Sequence, residues 1–297
     1  MNSKCKQMKD LILAKEILVL PGVYDGISAK LIEQFGFKGA SCTGAGISNS
    51  LLGKSDVGFM TLTENVSVCS HIAKCTNLLI LADADTGYGN ALNTYYTVQE
   101  FENAGATGVM IEDQTWPKRC GHMEGKTIIE AKEMVEKIKA AVDARIDPDF
   151  VIEARTDAVA VSGIDEAIRR ANLYHEAGAD FVKADALLSI EDIKIFVDNT
   201  EAPVHVNMGF GIRKRPTTPL LSAKELQELG VAVVTYPRLI TGAAMQGMKN
   251  ALEVLLESIN TGKVIERPDL VFSFKEIKEL MNLSDIRLLE KKFSRKL

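Results

Sequence analysis

Two kinds of hydrophobic pattern alternate along this chain. From residue 17 onward, short apolar runs occupy 17–21, 39–42, 78–82, 108–111, 150–154, 181–184, 204–206 and 231–236, most of them bounded by Gly, Pro or Asp. They are continuous rather than alternating, as in strands buried on both faces of a parallel sheet covered by helices. Between them, 94–104, 128–145, 165–177, 189–199 and 222–228 carry apolar residues at helical spacing, with Ser189 placed as an N-cap and Ser222–Glu225 reading as a capping box. The phrases FGFKG, NAGATG, EAGAD and ELGVA recur. Each reads as a helix end, a glycine cap and a turn into the next strand. Eight strands separated by such units predict an α/β fold closed into a (β/α)8 TIM-type barrel. An open doubly wound sheet is the rival. It usually has fewer strands and wants a phosphate-binding glycine fingerprint, for which GYGN is too short.

After residue 240 the barrel repeat stops. Residues 240–263 read as one long helix, 273–283 as a second capped by Ser273, and 284–293 as a third capped by Ser284. We therefore expect a barrel over 1–240 and a C-terminal helical extension over 241–297 within the same domain. Helices beyond a closed barrel have no strand to cover, so their apolar faces predict an oligomer.

Composition narrows the class. A chain of 297 residues with 46% apolar and 25% charged residues is ordinary for a globular enzyme. A net charge of −5 gives no reason to expect nucleic acid or an anionic membrane surface as partner. No apolar run approaches the roughly 20 residues of a membrane helix. The first 22 residues read as a helix feeding a strand, not as a signal peptide, because Lys15 and Glu16 interrupt the apolar part. Five scattered cysteines, Cys5, Cys42, Cys69, Cys75 and Cys120, suit reduced thiols in a cytoplasm.

Candidate chemistry concentrates at the strand ends, where a barrel of this kind builds its active site. Those ends carry Tyr24 and Asp25; Thr43, Gly44 and Ala45; Asp83 and Asp85; Glu112 and Asp113; Arg155 and Asp157; Lys183 and Asp185; Asn207; and Tyr236 and Arg238. Carboxylates at buried strand ends are costly without a cation. Mg2+ meets that need with one or two protein carboxylates plus water and substrate, so Asp83, Asp85 and Glu112 are the metal candidates, with Asp56 a fourth acid. The turn Thr43–Gly44–Ala45 offers backbone N–H groups to a carboxylate. Arg155 offers a bidentate fork to a carboxylate, or a structural ion pair with Asp157 or Glu112. Cys120 lies among Lys118, Arg119 and His122, cations that favour a thiolate and suit proton transfer. His71, His175 and His205 read as ordinary surface or core histidines.

These residues are similar to those of the isocitrate lyase / phosphoenolpyruvate mutase superfamily, on the ordered motifs DADTGYGN, IEDQ, KRCGH and ARTDA. The resemblance covers nearly the whole chain. It implies a (β/α)8 barrel, a Mg2+ cofactor (Mn2+ the alternative), a gating loop, and a homotetramer with exchanged C-terminal helices. It also implies that Asp83 binds the metal directly and that Asp85 and Glu112 bind through water. Asp56 and Lys118 match further active-site positions. Thr43, Gly44 and Ala45 match the substrate-carboxylate turn, and Arg155 and Asn207 match substrate contacts. We add Asp185 to the substrate set. KRCGH resembles the carbon–carbon lyases, with Cys120, Lys118 and His122 as catalytic candidates. The implied activity is cleavage of a 2-hydroxy di- or tricarboxylate of the 2-methylisocitrate or 2,3-dimethylmalate type. Oxaloacetate hydrolysis or decarboxylation, phosphonomutase chemistry, and a non-catalytic dicarboxylate-binding barrel are the alternatives. Three departures stand out: Ser41 replaces a tyrosine, Lys183–Ala184–Asp185 replaces Phe-Pro-Glu, and the loop NMGFGIRKRPTTP is more basic. The added cations either favour an anionic substituent on the substrate or form a surface rim.

Overall fold

In the computed structural model, which describes residues 3–121 and 123–294, the eight expected strands close into one parallel barrel in chain order. They are β1 (Leu18–Val23), β2 (Gly39–Cys42), β3 (Leu79–Asp83), β4 (Gly108–Glu112), β5 (Val151–Thr156), β6 (Phe181–Ala184), β7 (Val204–Asn207) and β8 (Val233–Tyr236). Closure is made by β1 on β8, with Leu18 opposite Val233 and Pro21 opposite Tyr236. Three strands run further than their apolar cores. Asp83, Glu112 and Arg155 are themselves members of the ladder, Glu112 opposite Arg155 and Arg155 opposite Lys183. The functional ends are thus held by sheet hydrogen bonds rather than by loops.

Helices cover the barrel. Gly26–Gln34 and Leu62–Cys75 do not stand out by periodicity, yet both open on complete capping boxes, from Asp25 with Ser28 and from Thr61 with Glu64. The expected caps at Ser189, Ser222 and Ser273 are formed. Ser284 is not a cap. The last helix runs Leu283–Phe293 behind Asn282, whose left-handed backbone (φ 53°) makes the turn, so Ser284 lies inside the helix. No helix among the described residues is long and apolar enough to cross a membrane.

Alternation sends every second strand residue into the barrel lumen. At the floor, Leu18, Leu79, Val151, Phe181 and Val233 form an apolar cluster plugged by Met8 and Ile12 of the N-terminal helix Lys4–Ile12. Above them lie Ser41, Met110, Glu153, Lys183, His205 and Thr235, and above those the charged mouth.

The chain divides into two compact units, Met1–Ile240 and Thr241–Leu297. Within the second, Thr241 alone of the described residues is buried, while Leu252, Leu256, Ile259, Leu288 and Phe293 are each more than half exposed.

Candidate active site

Eight of the expected site residues line one cavity at the C-terminal mouth: Thr43, Ala45, Asp56, Asp83, Cys120, Arg155, Asp185 and Asn207. Its volume is about 50 Å³, room for a water or two. Gly44, Asp85, Glu112 and Lys118 sit directly behind this wall. His122 lies outside the described residues.

The acids are met first by the protein's own cations. Lys118 is buried and places Nζ 2.6 Å from Asp56 Oδ1 and 2.6 Å from Asp85 Oδ1. Burial alone would pull Lys118 down, but Asp85, Asp56, Glu112 and Asp83 together hold it well above the usual lysine range. Burial pushes Asp85 up to about 7, Lys118 drawing it back down and Asp83 and Asp56 pushing it further up. Burial likewise drives Glu112 well above the usual carboxylate range, against the pull of Arg155 and Lys118.

Arg155 does not hold its fork open. Nε and Nη2 donate to Asp157 at 2.9 and 3.0 Å, Nη2 also reaches Asp185 at 2.9 Å, and Nη1 lies 3.0 Å from Glu112. The bidentate face expected to meet a substrate carboxylate is taken by Asp157. Sheet register puts Glu112 and Arg155 side by side, and the short step to Asp157 completes the clasp. Asp113 has a purely structural role. It accepts from Thr156 Oγ1, Tyr174 OH, Arg170 Nη1 and the Asp157 backbone N–H, tying the end of β4 to that of β5.

A metal is tested by what the acids still lack. Among the described residues no three acid, His or Cys side chains are grouped to chelate one ion, so direct ligation by all of Asp83, Asp85 and Glu112 is not built. Yet Asp83 faces the cavity, and Asp85 Oδ2 and Glu112 Oε1 are buried without a hydrogen-bond partner. One cavity-facing carboxylate backed by two with orphaned oxygens fits Mg2+, which keeps several waters for such oxygens to accept from. The turn that carries Asp85 and Tyr88 runs through positive φ (49° and 56°), and within it the Asp85 N–H donates to Asp83 Oδ1 at 3.1 Å. Gly44 completes the support. Its N–H donates to Asp83 Oδ2 at 3.2 Å, and a Cβ there would stand 2.9 Å from the same oxygen.

The loop after β4 lies across the mouth. Gln114 brackets Arg119 with two 2.9 Å hydrogen bonds, the Cys120 N–H donates to Asp56 O at 3.0 Å, and Lys126 Nζ bonds both Gly121 O and Asp157. Gly121 rests so closely on Asp185 and Arg155 that any side chain there would collide with both. Cys120 Sγ faces the cavity, but its cationic neighbour is not the expected one. Lys118 turns to the acids, and Arg119 is exposed and spans back to Glu124 O. Arg238, after β8, comes within 3.9 Å of the sulfur while Asn49 Oδ1 accepts from its other arm at 2.7 Å. In the basic loop, Arg213 and Lys214 are exposed, whereas Arg215 folds back onto the Asn207 carbonyl and Thr218.

A model of phosphoenolpyruvate phosphomutase matches residues 8–256. The chain belongs to this family, within the isocitrate lyase / phosphoenolpyruvate mutase superfamily. This member is 40% identical over 294 residues to a 2,3-dimethylmalate lyase of Eubacterium barkeri, covering 99% of both chains. It is 37% identical to a 2-methylisocitrate lyase of Aeropyrum pernix, covering 97% of this chain and 91% of the other. Among solved structures, an oxaloacetate acetylhydrolase bound to 3,3-difluorooxalacetate superposes with a TM-score of 0.90 at 28% identity, over 99% of each chain. Both curated relatives are lyases, which bears out the expectation of a carbon–carbon lyase.

Three contributors to the phosphomutase-family site escaped the sequence reading as site residues. Arg238 stood at a strand end but was given no task. Lys126 carried no signal at all, and Asp157 was read only as one alternative partner of Arg155. A buried lysine can be found from sequence only when its acid partner is known, and here the partner is 31 positions away.

Proposed function

We propose that this chain is a Mg2+-dependent lyase that splits a 2-hydroxy di- or tricarboxylate, of the 2-methylisocitrate or 2,3-dimethylmalate type, into an α-keto acid and a carboxylate. The observation that carries the reading is Cys120, held over an acid-lined cavity by a loop whose backbone is pinned to Asp56. When bound, Mg2+ supplies Lewis-acid stabilisation of negative charge on the substrate oxygens. Asp83 would hold it, with Asp85 and Glu112 accepting from its waters.

The remaining work belongs to side chains of this chain. Thr43, Ala45 and Asn207 line the cavity and orient the carboxylate end of the substrate, while the Gly44 N–H expected to share that task is given to Asp83. Arg155 fixes Glu112, Asp157 and Asp185 in one rigid set, and Lys118 does the same for Asp56 and Asp85. In the reaction the hydroxyl gives its proton to solvent, from which the Cys120 thiolate is later reprotonated, and becomes a carbonyl. The adjacent carbon–carbon bond breaks, and its electron pair stays on the departing carbon. Cys120 Sγ gives that carbon a proton, with Arg238 beside the resulting thiolate. The loop after β4 lies across the mouth, so its movement would admit the substrate.

We also propose a homotetramer in the cytoplasm. The exposed apolar residues of 241–294 support assembly through further copies of the chain, and the five free cysteines suit a reducing compartment. A monomeric mass by light scattering at micromolar concentration would overturn the assembly.

The activity is tested with 2-methylisocitrate, 2,3-dimethylmalate, oxaloacetate and phosphonopyruvate, with and without Mg2+, by product analysis. Keto-acid release from one of the first two, abolished by chelation, is the expected outcome. Turnover of oxaloacetate or phosphonopyruvate alone would replace the lyase reading by the hydrolase or mutase one.

A further inference from the structure

Beneath the charged mouth, the middle layer of the barrel lumen is polar where the floor is apolar. Glu153, Lys183, His205 and Thr235 come from four consecutive strands, with Lys183 opposite His205 in the β6–β7 ladder. Three of the four are matched to one another. His205 Nδ1 bonds Glu153 Oε1, and its Nε2 bonds Thr235 Oγ1 at 2.8 Å. Burial holds this imidazole below the usual histidine range, favouring its neutral form. Lys183 is the exception. It is 4% exposed and forms no ion pair with any described residue, and the sulfur of Met110, at 3.7 Å, is its one hydrogen-bond contact. The carboxylate nearest in kind, Glu153, is turned to His205, while the acids above are clasped by Arg155 and Lys118. A buried lysine nitrogen whose one hydrogen-bond contact is a thioether leaves most of its donor capacity unused. This one lines the same cavity as Asp83 and Cys120, so its missing partner can come from the ligand. Across the barrel, on β2, the Ser41 hydroxyl lines the opposite wall.

We propose that Lys183 is a substrate-binding residue that reads a further carboxylate on the substrate, one that reaches below the mouth into the middle layer of the barrel. The substituent distinguishing this enzyme's substrate is then anionic rather than alkyl, which selects a hydroxy tricarboxylate over a methyl-substituted malate. This rests on the lyase reading for where the substrate lies, but the charge it assigns to the pocket can be measured without turnover.

The test compares tricarballylate with glutarate, the same five-carbon diacid lacking the central carboxylate, as competing ligands in calorimetric titrations. Wild-type enzyme in Mg2+ buffer, Lys183→Met and Lys183→Arg are titrated in parallel. Wild type should bind tricarballylate about tenfold to a hundredfold tighter than glutarate, the range of a hydrogen bond to a charged group. Lys183→Met should bring the two within about twofold by weakening tricarballylate alone, and Lys183→Arg should keep most of the preference. The melting temperature of ligand-free Lys183→Met should hold or rise, because no ion pair is lost and a buried polar group with one weak contact is replaced by an apolar one. Equal weakening of both ligands, an unchanged preference in Lys183→Met, or no preference in wild type would each overturn the assignment. Failure of every hydroxy acid to turn over, with the tricarballylate preference intact and dependent on Lys183, would count against the lyase reading and leave this one standing.

Discussion

The two ends of the barrel lumen are built from the same strands and differ in almost every other respect. At the floor, Leu79, Val151, Phe181 and Val233 pack dry against Met8 and Ile12. At the mouth, Asp83, Arg155 and Asp185 stand four residues further along three of those strands and, with Asn207 at the end of β7, face one cavity. The floor gains stability by removing apolar surface from water. The mouth concentrates desolvated carboxylates that are met by the protein's own cations, Lys118 and Arg155 foremost and Lys126 at Asp157. The contrast shows where this fold places stability and where it places chemistry.

Three substitutions can break that division. Cys120→Ser should lower cleavage by a hundredfold to ten-thousandfold, the usual share of a general acid, while the melting temperature and the binding of a keto-acid product hold. Unchanged turnover would remove the thiol from the reaction. Leu79→Ala, at the floor, should cost about 3 kcal/mol of unfolding free energy in a denaturant titration and leave kcat/KM within a few-fold. A comparable loss of activity in the folded variant would mean that floor and mouth are mechanically coupled. Gly44→Ala should be the mildest. Its new methyl would stand 2.9 Å from Asp83 Oδ2 and displace that carboxylate, lowering kcat/KM about tenfold with little change in melting. A fully active variant would show that Asp83 has freedom the close approach denies.

The barrel was legible because the strands are short continuous runs that are mostly apolar and four of the helices end in a glycine turn, two local signals that agree. The acids of the site were legible for a related reason: charge at the end of a buried strand is rare and conspicuous. What could not be read was partnership. Arg155 gave no sign of whether its fork would face substrate or Asp157, because Asp157 is within reach at two positions away and the choice is made by side-chain rotamers. Arg238 meets Cys120 across 118 positions, a proximity that only barrel closure creates. Ser284 misled for the opposite reason: it has the chemistry of a cap, but the turn is made two residues earlier by Asn282.

The plug at the floor also has a temporal meaning. Met8 and Ile12 belong to a helix that precedes every barrel strand in the chain, yet the cluster they enter includes Val233, and Ile17 and Leu18 are fastened by Gln227 and Ala232. The seat of this helix is therefore complete only once the last strand has been made. Until the eighth strand emerges, the floor residues of the earlier strands have no lid, and the nascent chain carries an open apolar funnel that invites chaperones or neighbouring chains.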